Sequence, residues 1–170
     1  MEWILSLCCG SVRKRYAVTL LGLQCDQRRV LQCLNLNGKE SKNIRPFSED
    51  VCVMHGMELV LQSLDDDVDL YEIRGIHVSH CAAVMFSVDA DDSDSVEKCV
   101  SLLNEEVIKT KDVVVVFCKS NVYGSVSVDA LRRSCEEIGH GKIEFVVYED
   151  AKMAVSVQKG VDWICNRLDD

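Results

Sequence analysis

Proline is almost absent from this chain, Pro46 standing alone, and its nine glycines are dispersed, so no low-complexity linker and no internal repeat can be drawn. Without a linker, 170 residues are most simply one domain, large enough to bury a proper core. No run approaches the roughly 18 apolar residues that a membrane span requires. Positive charge is also short: 28 acidic side chains stand against 19 basic ones, a formal charge of −9. That argues against a broad nucleic-acid surface, because phosphate binding needs clustered lysine and arginine. The ten cysteines contain no C-x-x-C pair, and several occupy apolar positions, where free cysteine behaves as a small hydrophobe. The start, MEWILSLCC, has an acidic second residue and only a short apolar stretch, unlike a secretory signal. Together these features predict a reducing, intracellular setting.

What is present has the balance of a soluble globular protein, 48% hydrophobic and 28% charged. The acidity is uneven, with one cluster at Asp65, Asp66, Asp67, Asp69 and Glu72 and another at Asp89, Asp91, Asp92 and Asp94; both read as solvated loops. Apolar runs alternate with helical patterns. Tyr16–Leu21 (YAVTLL) predicts a first strand, followed by a helix over Gln27–Leu36 with Val30, Cys33 and Leu34 on one face. Val51–Met54 and Leu59–Leu64 predict a hairpin around His55-Gly56. Ala82–Val88 and Val113–Cys118 are buried-strand candidates, and between them Val96, Cys99, Val100, Leu103 and Val107 share one helical face. A helix over Asp129–Ile138 closed by Gly139, a strand over Ile143–Tyr148 and a helix over Val155–Leu168 complete the pattern. The expected architecture is α/β: a mostly parallel six-stranded sheet with one antiparallel edge and helices on both faces. Ligands of such sheets bind beyond the carboxyl ends of the strands, which directs attention to the loops after Leu21, Leu64, Val88, Cys118 and Tyr148.

Those loops carry a family resemblance. RYAVTLLGLQCDQRRVLQCL resembles the opening of the ADP-ribosylation-factor (Arf) and Arf-like small GTPases, where a strand ends in G-L-D-x-A-G-K-T-T. MFSVDADDSDSVEKCVSLLNE is similar to the family's I-F-V-V-D-S segment and the helix after it, VVVVFCKSN to its V-F-A-N-K-Q-D strand end, and GVDWICNRL to its final helix. Order and spacing agree over nearly the whole chain. The resemblance implies a Ras-like (P-loop GTPase) domain over residues 15–170, preceded by an N-terminal amphipathic segment, 1–14.

The nucleotide-handling positions depart from the family. In its first box a glycine lets backbone N–H groups wrap the phosphates, a lysine neutralises them, and a hydroxyl ligates Mg²⁺. Here Gly22 is kept, but Gln27 replaces the second glycine, Arg28 the lysine and Arg29 the hydroxyl. A β-carbon at Gln27 disfavours left-handed geometry and crowds a β-phosphate, and Arg29 sets a cation where the metal belongs. The effector loop has no metal-binding threonine, Ser48 being the nearest hydroxyl. The family's W-D-x-G-G-Q becomes Leu64-Asp65-Asp66-Asp67-Val68-Asp69, with Asp67 and Asp69 repelling the γ-phosphate where a glycine N–H and a glutamine belong. N-K-x-D becomes Lys119-Ser120-Asn121-Val122, and valine accepts no hydrogen bond from guanine. Only Ala151 matches the last box.

The implied function is that of a pseudo-GTPase without catalytic residues. It would use its switch segments, Ile44–Met54 and Leu64–Gly75, to bind a protein effector or scaffold in membrane traffic, with Phe47, Ser48, Leu70 and Tyr71 as contact candidates. No cofactor is then required. The alternative is an unorthodox guanine-nucleotide switch, binding GTP or GDP with Mg²⁺ and hydrolysing little. Trp3, Ile4, Leu7 and Cys8 would share one face of a short helix, and Cys8-Cys9 beside Arg13-Lys14-Arg15 could take palmitate, giving peripheral contact with an intracellular membrane. Glu2 excludes N-myristoylation of the sequence as written. His77, His80 and Cys81 do not complete a tetrahedral metal site, and the Asp89–Asp94 run lacks the glycine and glutamate of an EF-hand.

Overall fold

Alternation along the first strand already separates two apolar layers: Val18 and Leu20 enter one buried cluster, and Leu21 enters the other. The computed structural model describes residues 13–34, 42–44, 47–64, 71–121, 126–138 and 142–170. They form seven strands, β1 (Arg15–Gly22), β2 (Lys42–Ile44), β3 (Phe47–Met54), β4 (Met57–Leu64), β5 (Ala83–Asp89), β6 (Val114–Lys119) and β7 (Ile143–Tyr148). The helices are α1 (Gln24–Cys33), α2 (Tyr71–His80), α3 (Ser93–Leu103), α4 (Glu106–Lys109), α5 (Val126–Ile138) and α6 (Met153–Asp169), with a 3₁₀ turn at Asp150–Lys152.

The strands make one sheet in the order β2-β3-β4-β1-β5-β6-β7. The four pairings from β4 to β7 are parallel, and β2–β3 and β3–β4 are antiparallel. The six expected strands are therefore present, and the three-residue β2 makes a seventh at the antiparallel edge. The hairpin turns at His55 and Gly56, both at positive φ, the geometry that joins two tightly twisted strands. β5 and β6 are continuous apolar runs because helices cover both of their faces. One cluster joins Val30 of α1 and Val157, Val161 and Ile164 of α6 to Met85, Val115 and Phe117. The other joins Val78, Cys99, Leu102, Ile108, Leu131 and Cys135 to Phe86, Val88 and Val116. Gly160 lets α6 lie directly on β6, since a β-carbon there would stand 2.3 Å from the Phe117 ring.

Several boundaries differ from the sequence reading: α5 opens at Val126 rather than Asp129, β4 at Met57 rather than Leu59, and α6 at Met153 rather than Val155. α1 starts at Gln24, three residues earlier than expected, because the chain turns into it directly after Gly22, and the amides of Asp26 and Gln27 bond to Leu23 O. β3 begins at Phe47, since Ser48, Glu49 and Asp50 pair with β4 in spite of their polarity. The helical face running to Val107 is broken after Leu103, where Asn104 caps α3 and a separate short α4 follows. Helix α2 was not anticipated. No helix among the described residues is long and apolar enough to cross a membrane. The 1–14 segment is described only from Arg13 onward, so Cys8 and Cys9 lie outside the described residues, as does Gly139.

Candidate functional site

β1, β5 and β6 end side by side, and their last residues are Gly22, Asp89 and Lys119. Gly22 pairs with Ser87, and Asp89 with Lys119, so sheet register alone brings these positions together. Gly22 has φ +122°, and a β-carbon there would lie 2.1 Å from the Ser87 carbonyl oxygen. The glycine is thus required by the approach of β5, independently of any phosphate.

Gln27 occupies the second motif position. It lies within right-handed α1, so the left-handed strain expected of its β-carbon does not arise. Its side chain is 2% exposed and turns back into the loop, with Nε2 donating to Gly22 O at 2.8 Å. The bond ties the loop to its own helix with protein atoms. Beside it, the buried Asp26 carboxylate accepts from Ser95 Oγ at 2.7 Å, and Ser87 Oγ donates to the Asp26 carbonyl at 2.8 Å.

Asp89 is the hub. It is 8% exposed, and its Oδ2 receives Lys119 Nζ at 2.8 Å and Arg29 Nη1 at 3.2 Å. Its Oδ1 accepts the Asp91 amide at 3.0 Å. Arg29 also stands 3.6 Å from Asp26 Oδ1, and Lys119 3.7 Å from Asp150 Oδ2, beside Ala151 in the 3₁₀ turn. Carboxylates thus link α1, β5, β6 and the turn after β7. Burial pushes the Asp89 carboxyl up, but Lys119, the Asp91 amide and Arg29 together hold it below its ordinary value. The Asp89 contact in turn raises both Lys119 and Arg29, fixing their charge. Asp26 is shifted upward by burial, against the pull of Ser95 and Arg29.

Only some of the expected site residues come together. Gly22, Gln27, Arg29, Lys119 and Ala151 converge on this edge, while Arg28 points to solvent and the Asn121 amide bonds to Asp91 Oδ2 at 3.1 Å. Ser48 is on β3, in contact with Ser63 Oγ across the hairpin, and so is not in a loop where it could order a metal. Phe47 begins β3 and Tyr71 begins α2, each described by its backbone only. Asp65, Asp67, Asp69, Leu70 and Val122 lie outside the described residues.

Of the second acidic cluster, Asp91, Asp92 and Asp94 are exposed, as a solvated loop requires, but Asp89 is buried. Asp89 is the ion-pair centre, Asp92 caps α3 through the Asp94 amide, and Asp91 receives Asn121. Position could have singled out Asp89, because it directly follows six buried strand residues. Among the described residues no group of three or more His, Cys, Asp and Glu is placed to hold a metal. His77 meets Gln62 Oε1 at 3.3 Å, and His80 meets Ile76 O at 2.8 Å, in the last turns of α2. Burial raises the Cys118 and Cys135 thiols to about 12, a poor setting for a nucleophile.

No protein-family model matches the chain, and no curated protein matches it. The reading of this edge therefore stands on its residues. The mostly buried Lys119 and the partly exposed Arg29 are paired with carboxylates of the same chain, and the loop is tied by Gln27.

Proposed function

We propose that this chain is a Ras-like domain of the Arf type that has exchanged nucleotide binding for internal ion pairs and acts as a non-catalytic protein-interaction module, in membrane traffic or scaffolding. The observation that carries the reading is Asp89 joined to both Lys119 and Arg29. A bound nucleotide bridges the loops at this edge in the family that the sequence resembles; here a carboxylate bridges them. The sheet order and the helices on both faces are compatible with that fold. A cytoplasmic protein, with peripheral membrane contact through Cys8 and Cys9, fits the same reading.

A fixed surface would bind its effector or scaffold constitutively through the segments 44–54 and 64–75. Phe47→Ala and Leu70→Ala are expected to lose partners captured by the wild-type chain while keeping its unfolding midpoint. Unchanged capture by both variants would overturn the assignment of that surface. The exposed Arg28 favours a second reading, a nucleotide switch with arginines in place of lysine and metal. It predicts guanine-nucleotide binding with little Mg²⁺ dependence.

A further inference from the structure

The break between α3 and α4 has a consequence for α2. Asn104 ends α3 by donating its side-chain amide to Val100 O at 2.9 Å, and Glu105 opens α4. Ile108, fully buried in the second apolar cluster, anchors this short helix in the core. Its anchoring fixes Glu105 on one side and Lys111 on the other, and both side chains reach α2.

Glu105 grips the body of α2. Arg74 donates from Nε to Glu105 Oε2 at 3.3 Å and from Nη2 to Oε1, and both side chains are mostly buried. A two-point guanidinium–carboxylate contact fixes orientation as well as distance. Lys111 grips the end. It is 9% exposed, and its Nζ donates to Ser79 O at 3.0 Å and Cys81 O at 2.8 Å.

The last carbonyl oxygens of a helix lack their usual backbone donors and need side chains or later amides, and α2 closes without a glycine turn. Ile76 O is met by Ser79 Oγ and His80 Nδ1, each at 2.8 Å, and His77 O by the Cys81 amide at 3.0 Å. Val78 O is met by Cys81 Sγ at 3.2 Å, and Lys111 supplies Ser79 O and, just beyond the helix, Cys81 O, at the end where a cation is favoured. A third contact ties α2 to the hairpin, where His77 meets Gln62, whose Nε2 donates to Glu49 Oε1 at 2.8 Å. All of these contacts are made by protein groups.

We propose that residues 105–111 form a built-in clamp that holds α2 in one orientation without a ligand, with Glu105 and Lys111 as its positioning residues. The inference rests on the reading of the chain as a non-catalytic module, and it supplies the device that keeps one of its contact segments constant. The orientation so held turns Ile76, 60% exposed, away from the core.

Hydrogen–deuterium exchange on the full chain, first shown to carry no nucleotide, tests the clamp. Lys111→Met and Glu105→Gln should each speed amide exchange in α2 by about tenfold, and the double variant by more, while β5 and β6 keep their protection. Lys111→Arg should retain most of the α2 protection, since a guanidinium can donate to the same carbonyls. Unchanged α2 exchange in the double variant would overturn the proposal. Equal acceleration in α2, β5 and β6 would also overturn it, by reducing the pair to a general stability element. If Lys111→Met fails to fold, the nearly isosteric Glu105→Gln decides by the same readout. Nucleotide binding in a separate titration would overturn the functional reading and leave the clamp standing.

Discussion

The first turn of α1 and the end of β5 meet at one guanidinium, that of Arg29, yet their carboxyl groups shift in opposite directions. Asp26 is the more deeply buried, and its close donor is the Ser95 hydroxyl, with Arg29 farther off at 3.6 Å. Asp89 has Lys119, a backbone amide and a nearer Arg29. Both pay for burial, but only Asp89 gathers enough donors to reverse it. The difference identifies which group organises the edge: Asp89 holds the cations, whereas Asp26 is a buried acid held by its neighbours.

The largest way to disturb this relation is to force the two regions apart. Gly22→Ala places a β-carbon against the backbone carbonyl of Ser87, which has no side-chain freedom with which to yield. A loss of about 4 kcal/mol is expected by denaturant unfolding, in the range reserved for severe backbone and packing conflicts. Next comes Asp89→Ala, which leaves the mostly buried Lys119 without its principal partner and frees Arg29. A cost of about 3 kcal/mol is expected, discounted for the partial exposure of Arg29. Adding Lys119→Met should recover part of it, so that the double variant loses less than the sum of the two single changes.

The smallest effect is the dependence of stability on pH. Asp89 has a lowered folded-state value, so its contribution is complete above the ordinary carboxyl range, near 4, and is lost as pH falls through the folded value. Asp26 has a raised folded-state value and the opposite sign. Its carboxylate costs stability at neutral pH, and that cost is relieved as pH falls through the folded value towards about 4. Unfolding midpoints between pH 7 and pH 3 should therefore lose acid sensitivity at the low end in Asp89→Asn. Asp26→Asn should lose the relief that precedes it.

Much of the fold was legible because burial writes itself into the strands. VVVVFC and AVMFSV are covered on both faces and read as continuous apolar runs, and β7 lies where Ile143–Tyr148 was expected. Helix α2 was not legible. Gly75 interrupts YEIRGIHVSH, Ile76 faces outward, and much of what holds the helix comes from Arg74, His77 and the distant Lys111. The site was half legible. The motif resemblance directed attention to Gly22, Gln27, Arg29 and Lys119, but a motif names positions and not the contacts that their side chains make. That Asp89 takes both cations depends on the β5–β6 register and on the direction of the α1 face, which no local pattern carries.

The most direct measurement is calorimetric titration of the purified chain, after nucleotide stripping and a check for co-purified nucleotide, with GTP, GDP and ATP, each with and without Mg²⁺. The account predicts no binding heat at high micromolar ligand with a folded, empty protein, because Asp89 holds Arg29 and Lys119 and Gln27 ties the loop to its own helix. Clear guanine-nucleotide binding would contradict it, and would mean that a phosphate can displace Asp89 from Arg29 and Lys119.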